Sequence, residues 1–165
     1  MANKLNNCYL INAPAGSGKT TEIKSIVQRC IIDNPKDNIL CITYTNRAAD
    51  ELSKGILSKN VFIGTIHSFL HFFLKPYFAH QDILELYFEI YGAQISERID
   101  NKSQKESIAE SNARYIEKYG KLDYDMVRNN IKVLSYNESP FSSLYYGGLS
   151  HDDLIGFSKA IFNRY

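Results

Sequence analysis

A glycine-rich segment near the amino terminus contains the residue types that bind phosphate groups. Residues 13–20 read Ala-Pro-Ala-Gly-Ser-Gly-Lys-Thr, and a second threonine follows. The glycines allow backbone N–H groups to point at phosphate oxygens, the lysine can reach the terminal phosphates, and the first threonine hydroxyl can coordinate Mg²⁺. We therefore predict a nucleotide-binding site with Thr20 as the metal ligand. Its residues are Ala13, Pro14, Ala15, Gly16, Ser17, Gly18, Lys19, Thr20 and Thr21.

The sequence on either side of this segment supports the same interpretation. An apolar run over residues 8–12 predicts a buried strand before it, and apolar residues recur at helical spacing from Lys19 onward. A phosphate at the start of that helix would be stabilised by the helix dipole. Ala13 stands where such a loop usually has its first glycine. The alternative is a glycine-rich turn that only joins a strand to a helix.

Two further segments place polar and aromatic residues after predicted strands. Residues 43–52 leave one strand and residues 64–70 leave the next, both at the carboxyl end, which forms the ligand face of an open parallel sheet. Hydroxyl and amide groups can bind phosphates there, and Tyr44 or Phe69 can stack on bases. The alternative interpretation assigns helix capping or core packing to Thr43, Thr45, Asn46, His67 and Phe69.

These segments require a scaffold of alternating strands and helices. The first helix should stop before Pro35, which disfavours helical geometry at the preceding residue. Further elements are predicted as a strand over 39–43, a helix over 46–57 and a strand over 61–63 that ends at Gly64. This alternation predicts an α/β fold with a parallel sheet and right-handed crossovers.

The pattern changes after the third strand, and no further α/β alternation follows. We predict an α/β core over residues 1–70, a mostly helical insertion over 71–148, and a helix over 149–165 that returns to the core. Aromatic residues are dense between 69 and 91, which favours core packing over a platform for stacked bases. His71 and His80 are interpreted as packing residues in that segment.

Two carboxylates near the end of the sequence are candidates for catalysis. Asp152 and Asp153 follow Ser150, however, and Ser-x-x-Asp before a periodic apolar run is typical of a capping box that opens a helix. We therefore interpret Ser150 and Asp153 as capping residues.

The amino-acid composition excludes several classes of protein. The chain has 165 residues, 44% of them hydrophobic, and a net charge of +1, which suits a compact domain and excludes a disordered chain or a uniformly basic nucleic-acid coat. No apolar run approaches the roughly 20 residues of a membrane span, and the first residues lack a secretory signal pattern. Cys8, Cys30 and Cys41 lie in apolar runs and are interpreted as reduced core residues of a cytoplasmic protein.

Three of these segments resemble consecutive motifs of one family. Residues 13–20, 43–52 and 64–69 look like the phosphate loop, motif Ia and motif Ib of UvrD/Rep-like superfamily 1 DNA helicases, in the same order and at similar spacing. Leu-Ser-His-Asp-Asp-Leu-Ile, at 149–155, is similar to the Asp-Phe-Asp-Asp-Leu-Leu stretch before that family's Walker B strand. The resemblance covers about residues 8–70 and 149–165 of the ATPase core domain (1A), while the segment between them matches the helical 1B insertion by position only.

The resemblance implies a P-loop NTPase (RecA-like) fold, ATP and Mg²⁺ as cofactors, and single-stranded DNA as a partner. Tyr44 replaces the usual phenylalanine and can still stack, and Arg47 replaces the commoner lysine and can hold a DNA phosphate. By resemblance, the DNA-binding residues are Thr43, Tyr44, Thr45, Asn46, Arg47, Thr65, His67 and Ser68.

The sequence also departs from the family pattern. No glutamine precedes Gln28, although the family usually reads adenine with a glutamine before the phosphate loop, and no apolar strand ends in the Asp-Glu of Walker B. We therefore assign no catalytic residue and expect the amino-terminal portion of a longer helicase, inactive alone. In the family's sheet the Walker B strand neighbours the phosphate-loop strand. We thus expect low stability unless the remainder of the helicase chain or a partner subunit completes the sheet.

Two other functions remain open from the residues. A small P-loop phosphotransferase of the nucleoside or nucleotide kinase kind would suit this length, although Arg98, Arg114 and Arg128 are too dispersed for an arginine-rich lid. A nucleotide-binding module that regulates a partner without hydrolysis is the other alternative.

Overall fold

The structure is a computed structural model that describes residues 12, 14, 16–102, 104–138 and 144–165. The chain divides into two compact units, Met1–Thr65 and Ile66–Tyr165. The first contains α1 (Lys19–Asp33), β1 (Ile39–Thr43), α2 (Asn46–Ser53) and β2 (Val61–Thr65). The second contains α3 (Ile66–Leu74), α4 (Gln81–Asp100), α5 (Glu106–Tyr119), α6 (Tyr124–Asn130), β3 (Ser135–Tyr136), β4 (Gly148–Leu149) and α7 (His151–Arg164), with 3₁₀ turns at Lys75–Tyr77 and Leu144–Tyr146.

The first unit confirms the predicted alternation of helix and strand over its described residues. Strands β1 and β2 pair in parallel, with Ile39 opposite Val61 and Thr43 opposite Thr65. Helix α2 joins them and packs on both, and it also packs against α1, where the ammonium of Lys24 lies 3.8 Å from the carboxylate of Glu51. The strand predicted over residues 8–12 lies, apart from Asn12, outside the described residues.

Three details of this unit differ from the predictions. Helix α2 ends at Ser53 rather than at residue 57, because Gly55 with φ of 85° turns the chain away from helical geometry. Strand β2 continues through Gly64 because pairing with β1 extends to Thr65. Cys30 is exposed rather than in the core, since α1 buries only Val27 fully, and Cys41 is half-buried. Cys8 lies outside the described residues.

The second unit is mostly helical around an aromatic core. Helix α3 packs against α7, the first and last helices of this unit, and α4 contacts α7 and α6. Tyr87 is completely buried, and its hydroxyl donates to the carbonyl oxygen of Leu144 at 2.9 Å. The largest fully buried side chains are Tyr87, Tyr115, Phe78, Phe157, Leu74, Ile95, Leu149, Leu154 and Val127.

The dense aromatic segment after residue 69 divides between core and surface. The core holds Phe78, Tyr87, Phe88 and Tyr91, as the helical spacing predicts. The exposed members are Phe72, Phe73 and Tyr77. His71 packs against the rings of Phe78 and Tyr136, which confirms its predicted role. The interpretation of His80 as a packing residue is wrong, because the side chain is exposed and its Nδ1 accepts from the backbone N–H of Asp82, which caps α4.

The predicted capping box at the start of α7 is confirmed. The Ser150 hydroxyl accepts from the backbone N–H of Asp153 at 3.3 Å, and the Asp153 carboxylate accepts from the backbone N–H of Ser150 at 3.0 Å. Ser150 is buried between Leu149 and Leu154, both fully inside the core. The residue that caps α7 is therefore also buried in the core of the second unit.

Replacing Ser150 with alanine should lower the free energy of unfolding by about 1 kcal/mol, because the N–H of Asp153 loses its acceptor. Urea denaturation measures this as a lower midpoint at an unchanged m-value. Ser107→Ala, at an exposed position of α5, is the matched control and should change stability by less than about 0.5 kcal/mol. Equal midpoints for Ser150→Ala and the wild type would contradict a stabilising cap.

Two features are absent from the described part of the chain. No helix there combines the length and the apolar character that crossing a membrane requires. Nor do those residues contain a group of three or more His, Cys, Asp or Glu side chains arranged to hold a metal ion.

Candidate functional site

The predicted phosphate loop runs directly into α1. Gly16 and Gly18 adopt φ angles of 77° and 81°, in the left-handed region that favours glycine. Gly18 is the residue before the helix, and its carbonyl oxygen accepts the first helical hydrogen bond, from the N–H of Glu22 at 3.0 Å. Within the described residues no side chain caps this helix start, and the beginning of a helix is a general binding site for anions. Ala13 and Ala15 lie outside the described residues.

Lys19 is the first residue of α1, and its side chain turns back over the loop. Its ammonium donates to the carbonyl oxygen of Pro14 at 2.5 Å, and the N–H of Ser17 also faces that carbonyl at 3.4 Å. The loop from residue 16 to Thr21 is exposed. The ammonium of Lys19, the two left-handed glycines and the start of α1 therefore lie in one short exposed segment. This combination fits the phosphates of a nucleotide, and Thr20, the second residue of α1, is at the sequence position that holds Mg²⁺ in such loops.

A second group of predicted residues lies at the carboxyl end of the parallel strands. Thr43 ends β1 opposite Thr65, which ends β2. The hydroxyl of Thr43 donates to the carbonyl of Thr45 at 3.0 Å and lies 3.4 Å from that of Gly64. The structure therefore brings together the first residues of the two predicted DNA-binding segments, 43–52 and 64–70, because the Thr43 side chain lies against the neighbouring strand.

Of the residues that follow β1, one caps the next helix and the others are exposed to solvent. The Thr45 hydroxyl accepts from the N–H of Ala48 at 3.2 Å and caps α2, as the capping alternative predicts. Asn46 and Arg47 lie exposed in the first turn of α2, and Tyr44 is 99% exposed. Within the described ranges, neither Tyr44 nor Arg47 has a hydrogen bond, ion pair or ring contact, so both side chains are available to a ligand.

His67 and Ser68 belong to the second unit, in the first turn of α3, and both are half-buried. The ring of His67 stacks on the ring of His151 at the start of α7, with centroids 3.4 Å apart and planes 20° apart. Burial lowers the pKa of His67, and the neighbouring charge of His151 lowers it further. His67 is thus neither a fully buried core residue nor a free surface group.

The partners of His67 were missed by sequence reasoning. His151 stacks on it, and the hydroxyl of Tyr136 lies 3.0 Å from His151 Nδ1. The interpretation of residues 150–153 as a capping box accounted for Ser150 and Asp153 but gave His151 no role. The remaining spatial relations among the predicted site residues, including that of the phosphate loop to residues 43–47, stay predictions.

The loop geometry and the parallel strand pair are typical of α/β proteins that bind nucleotides. The chain matches the family UvrD/REP helicase N-terminal domain over residues 1–162, nearly its whole length, and it belongs to that family. Helicases of this family use ATP and Mg²⁺ and act on DNA. The comparisons with curated proteins and with solved structures gave no match.

Proposed function

We propose that this chain is the ATP-binding amino-terminal portion of a superfamily 1 DNA helicase that acts on single-stranded DNA. The observation that carries the proposal is the left-handed glycine loop opening α1, in a chain that matches the helicase family over residues 1–162. The fold proposed for the complete domain is a P-loop (RecA-like) sheet. In it, residues 1–70 form the core, 71–148 the helical insertion and 149–165 the returning helix.

The phosphate loop is proposed to hold ATP through its backbone and one cation. Gly16 and Gly18 allow N–H groups to face the phosphates, and Lys19 would exchange the carbonyl of Pro14 for a phosphate oxygen. The hydroxyl of Thr20 would coordinate Mg²⁺, which supplies positive charge at the terminal phosphates. Ala13, Pro14, Ala15, Ser17 and Thr21 complete the proposed loop.

The ends of β1 and β2 and the start of α3 are proposed to contact single-stranded DNA. Tyr44 would stack on a base and Arg47 would hold a phosphate, since both are exposed and without internal partners in the described structure. The remaining proposed contacts come from Thr43, Thr45, Asn46, Thr65, His67 and Ser68.

Hydrolysis is proposed to depend on acidic residues and a second motor domain supplied by the remainder of the helicase chain or by a partner subunit. None of the four described strands ends in paired acidic residues. Leu40 and Ile42 of β1 are 48% and 43% exposed, and such an apolar strand face is one that further strands or helices normally cover.

The proposed function is tested by measuring ATP hydrolysis by the complete helicase chain with and without single-stranded DNA. Stimulation by DNA is the expected result. Phosphate transfer to a nucleoside without such stimulation would favour a kinase-like phosphotransferase. ATP binding with no turnover under either condition would favour a regulatory nucleotide-binding module.

Arg47→Gln should weaken single-strand binding and reduce its dependence on salt. Without this phosphate contact, DNA binding releases about one counterion fewer. The measurement is oligonucleotide affinity across a range of salt concentrations. We expect the slope of log K against log[salt] to fall by about 0.7 for this contact to a single strand.

The matched control is Arg29→Gln, which removes an exposed arginine of α1 that lies 3.6 Å from Glu22. It should leave the slope unchanged. Equal slopes for Arg47→Gln and the wild type would remove Arg47 from the proposed DNA site.

A further inference from the structure

Four aromatic and imidazole side chains form a chain of contacts in the second unit, in the order His71, Tyr136, His151 and His67. His67 and His71 lie one turn apart on α3, Tyr136 is in β3, and His151 begins α7. The ring of Tyr136 lies 5.1 Å from that of His71, its hydroxyl lies 3.0 Å from His151 Nδ1, and His151 stacks on His67 at 3.4 Å. We call these four residues the imidazole cluster.

The imidazole cluster contains one residue of the proposed DNA site, His67, and two residues outside that site that contact it directly or indirectly, His151 and Tyr136. His67 is at the start of α3, where Ser68 is also a proposed DNA contact, whereas His151 and Tyr136 belong to elements with no assigned role in binding. The tyrosine hydroxyl fixes the ring plane of His151, because a ring nitrogen that shares a hydrogen bond cannot turn without breaking it. The stacked His67 ring is then restricted to one plane.

We propose that His151 is a positioning residue that holds the imidazole of His67 in the orientation in which it meets single-stranded DNA. Tyr136 acts behind it by fixing the orientation of His151. This inference rests on the proposed DNA contact of His67.

Burial and, after it, the stack on His151 both disfavour the charged form of His67. Two stacked imidazoles cannot both be protonated without strong repulsion, and burial already disfavours the charged form. Other groups favour it: the His151 backbone, which hydrogen-bonds to His67, and the carboxylates of Asp152 and Glu138. Burial and the His151 charge are on balance stronger, so the pKa of His67 lies below its ordinary value. His71 has a lowered pKa for a similar reason, burial followed by the charge of Lys75.

Two variants of His151 separate positioning from simple packing. His151→Phe keeps a flat ring on His67 and keeps the backbone carbonyl, but removes the second imidazole. His151→Ala removes the ring altogether. His67→Ala reports whether His67 contacts DNA at all. Circular dichroism shows which variants keep the fold, and His151→Phe preserves the stacked volume.

The first measurement is the pKa of His67 from the NMR titration of its ring protons in the complete helicase chain without DNA. We expect a higher pKa in His151→Phe than in the wild type, because the like charge is gone while the carbonyl and the carboxylates remain. An unchanged pKa would overturn the coupling between the two rings. A role in folding alone predicts no such shift.

The second measurement is the affinity for a single-stranded oligonucleotide at pH 8, where the lowered pKa of His67 leaves that ring neutral. His151→Ala should bind about two- to tenfold more weakly, the range for one uncharged hydrogen bond, and His151→Phe should bind like the wild type. Wild-type affinity in His151→Ala would overturn the positioning role.

Failure of the underlying contact is distinguishable from failure of the positioning role. If His67→Ala binds like the wild type, His67 is not a DNA contact and the positioning role falls with it. The helicase proposal would then still stand on DNA-stimulated ATP hydrolysis. If His67→Ala weakens binding and His151→Ala does not, only the positioning role is wrong.

Discussion

Replacing Lys19 with alanine is expected to weaken ATP binding by roughly 10- to 150-fold, because a charge-assisted hydrogen bond to phosphate contributes about 1.5–3 kcal/mol. In the complete helicase chain, hydrolysis should fall further, by about 10²- to 10³-fold, since charge at the terminal phosphates grows in the transition state. Equilibrium binding of a fluorescent ATP analogue and steady-state phosphate release measure the two effects.

The structure explains why Lys24, the next lysine of α1, does not replace Lys19. Its ammonium lies over the loop that it serves, 2.5 Å from the carbonyl oxygen of Pro14. The next lysine of α1, Lys24, is directed toward Glu51 on α2, 3.8 Å away. Loss of Lys19 therefore removes the positive charge that this side chain places over the loop.

Lys24→Ala is the matched control, because it removes a lysine from the same helix and breaks only a surface ion pair, whose contribution is about 1 kcal/mol or less. It should bind ATP like the wild type. Unchanged ATP binding and hydrolysis in Lys19→Ala, with Lys24→Ala as reference, would remove the loop from the nucleotide site.

The second large effect is expected at Tyr44. Tyr44→Ala should weaken binding of single-stranded DNA by about 1–3 kcal/mol, roughly 5- to 150-fold, because one stacked base loses its aromatic surface. The side chain is 99% exposed and has no ring partner within the described residues, so its removal costs the fold little. Fluorescence anisotropy of a labelled oligonucleotide measures the loss.

Two controls make the result specific to stacking. Tyr44→Phe keeps the ring and should retain most of the affinity. Leu57→Ala removes another large apolar side chain of the same unit, one that is 98% exposed, and should leave affinity unchanged. Unlike Arg47→Gln, Tyr44→Ala should leave the salt slope intact, because a stack releases no counterion. Equal affinities of Tyr44→Ala and the wild type would mean that Tyr44 does not contact DNA.

Local signals in the sequence predicted the bounds of several helices and strands in both units. Pro35 marked the end of α1, the five apolar or β-branched residues at 39–43 predicted β1, and Ser150 with Asp153 predicted the start of α7. Each of these signals acts within a few residues of the element that it defines, so no knowledge of the rest of the chain was needed.

Contacts between distant parts of the chain were the ones that sequence reasoning missed. Strand β2 is two residues longer than predicted because its partner β1 extends to Thr43, and Cys30 is exposed on a helix whose buried residue is Val27. The stack of His67 on His151 joins α3 and α7, the first and last helices of the second unit in the sequence. No local sequence pattern indicates such a pairing. His80 was misread for the opposite reason, since its capping bond is local but unusual for histidine.

The packing of α3 against α7 also determines when the second unit can finish folding during its synthesis. Leu70 and Leu74 leave the ribosome early, whereas Leu154 and Phe157 follow only after α4, α5 and α6 have been made. At about 5–20 residues per second, several seconds separate the two helices. During that interval the apolar face of α3 lacks its native partner and can be bound by a chaperone. Folding of this unit should therefore be completed late, when α7 emerges, rather than helix by helix.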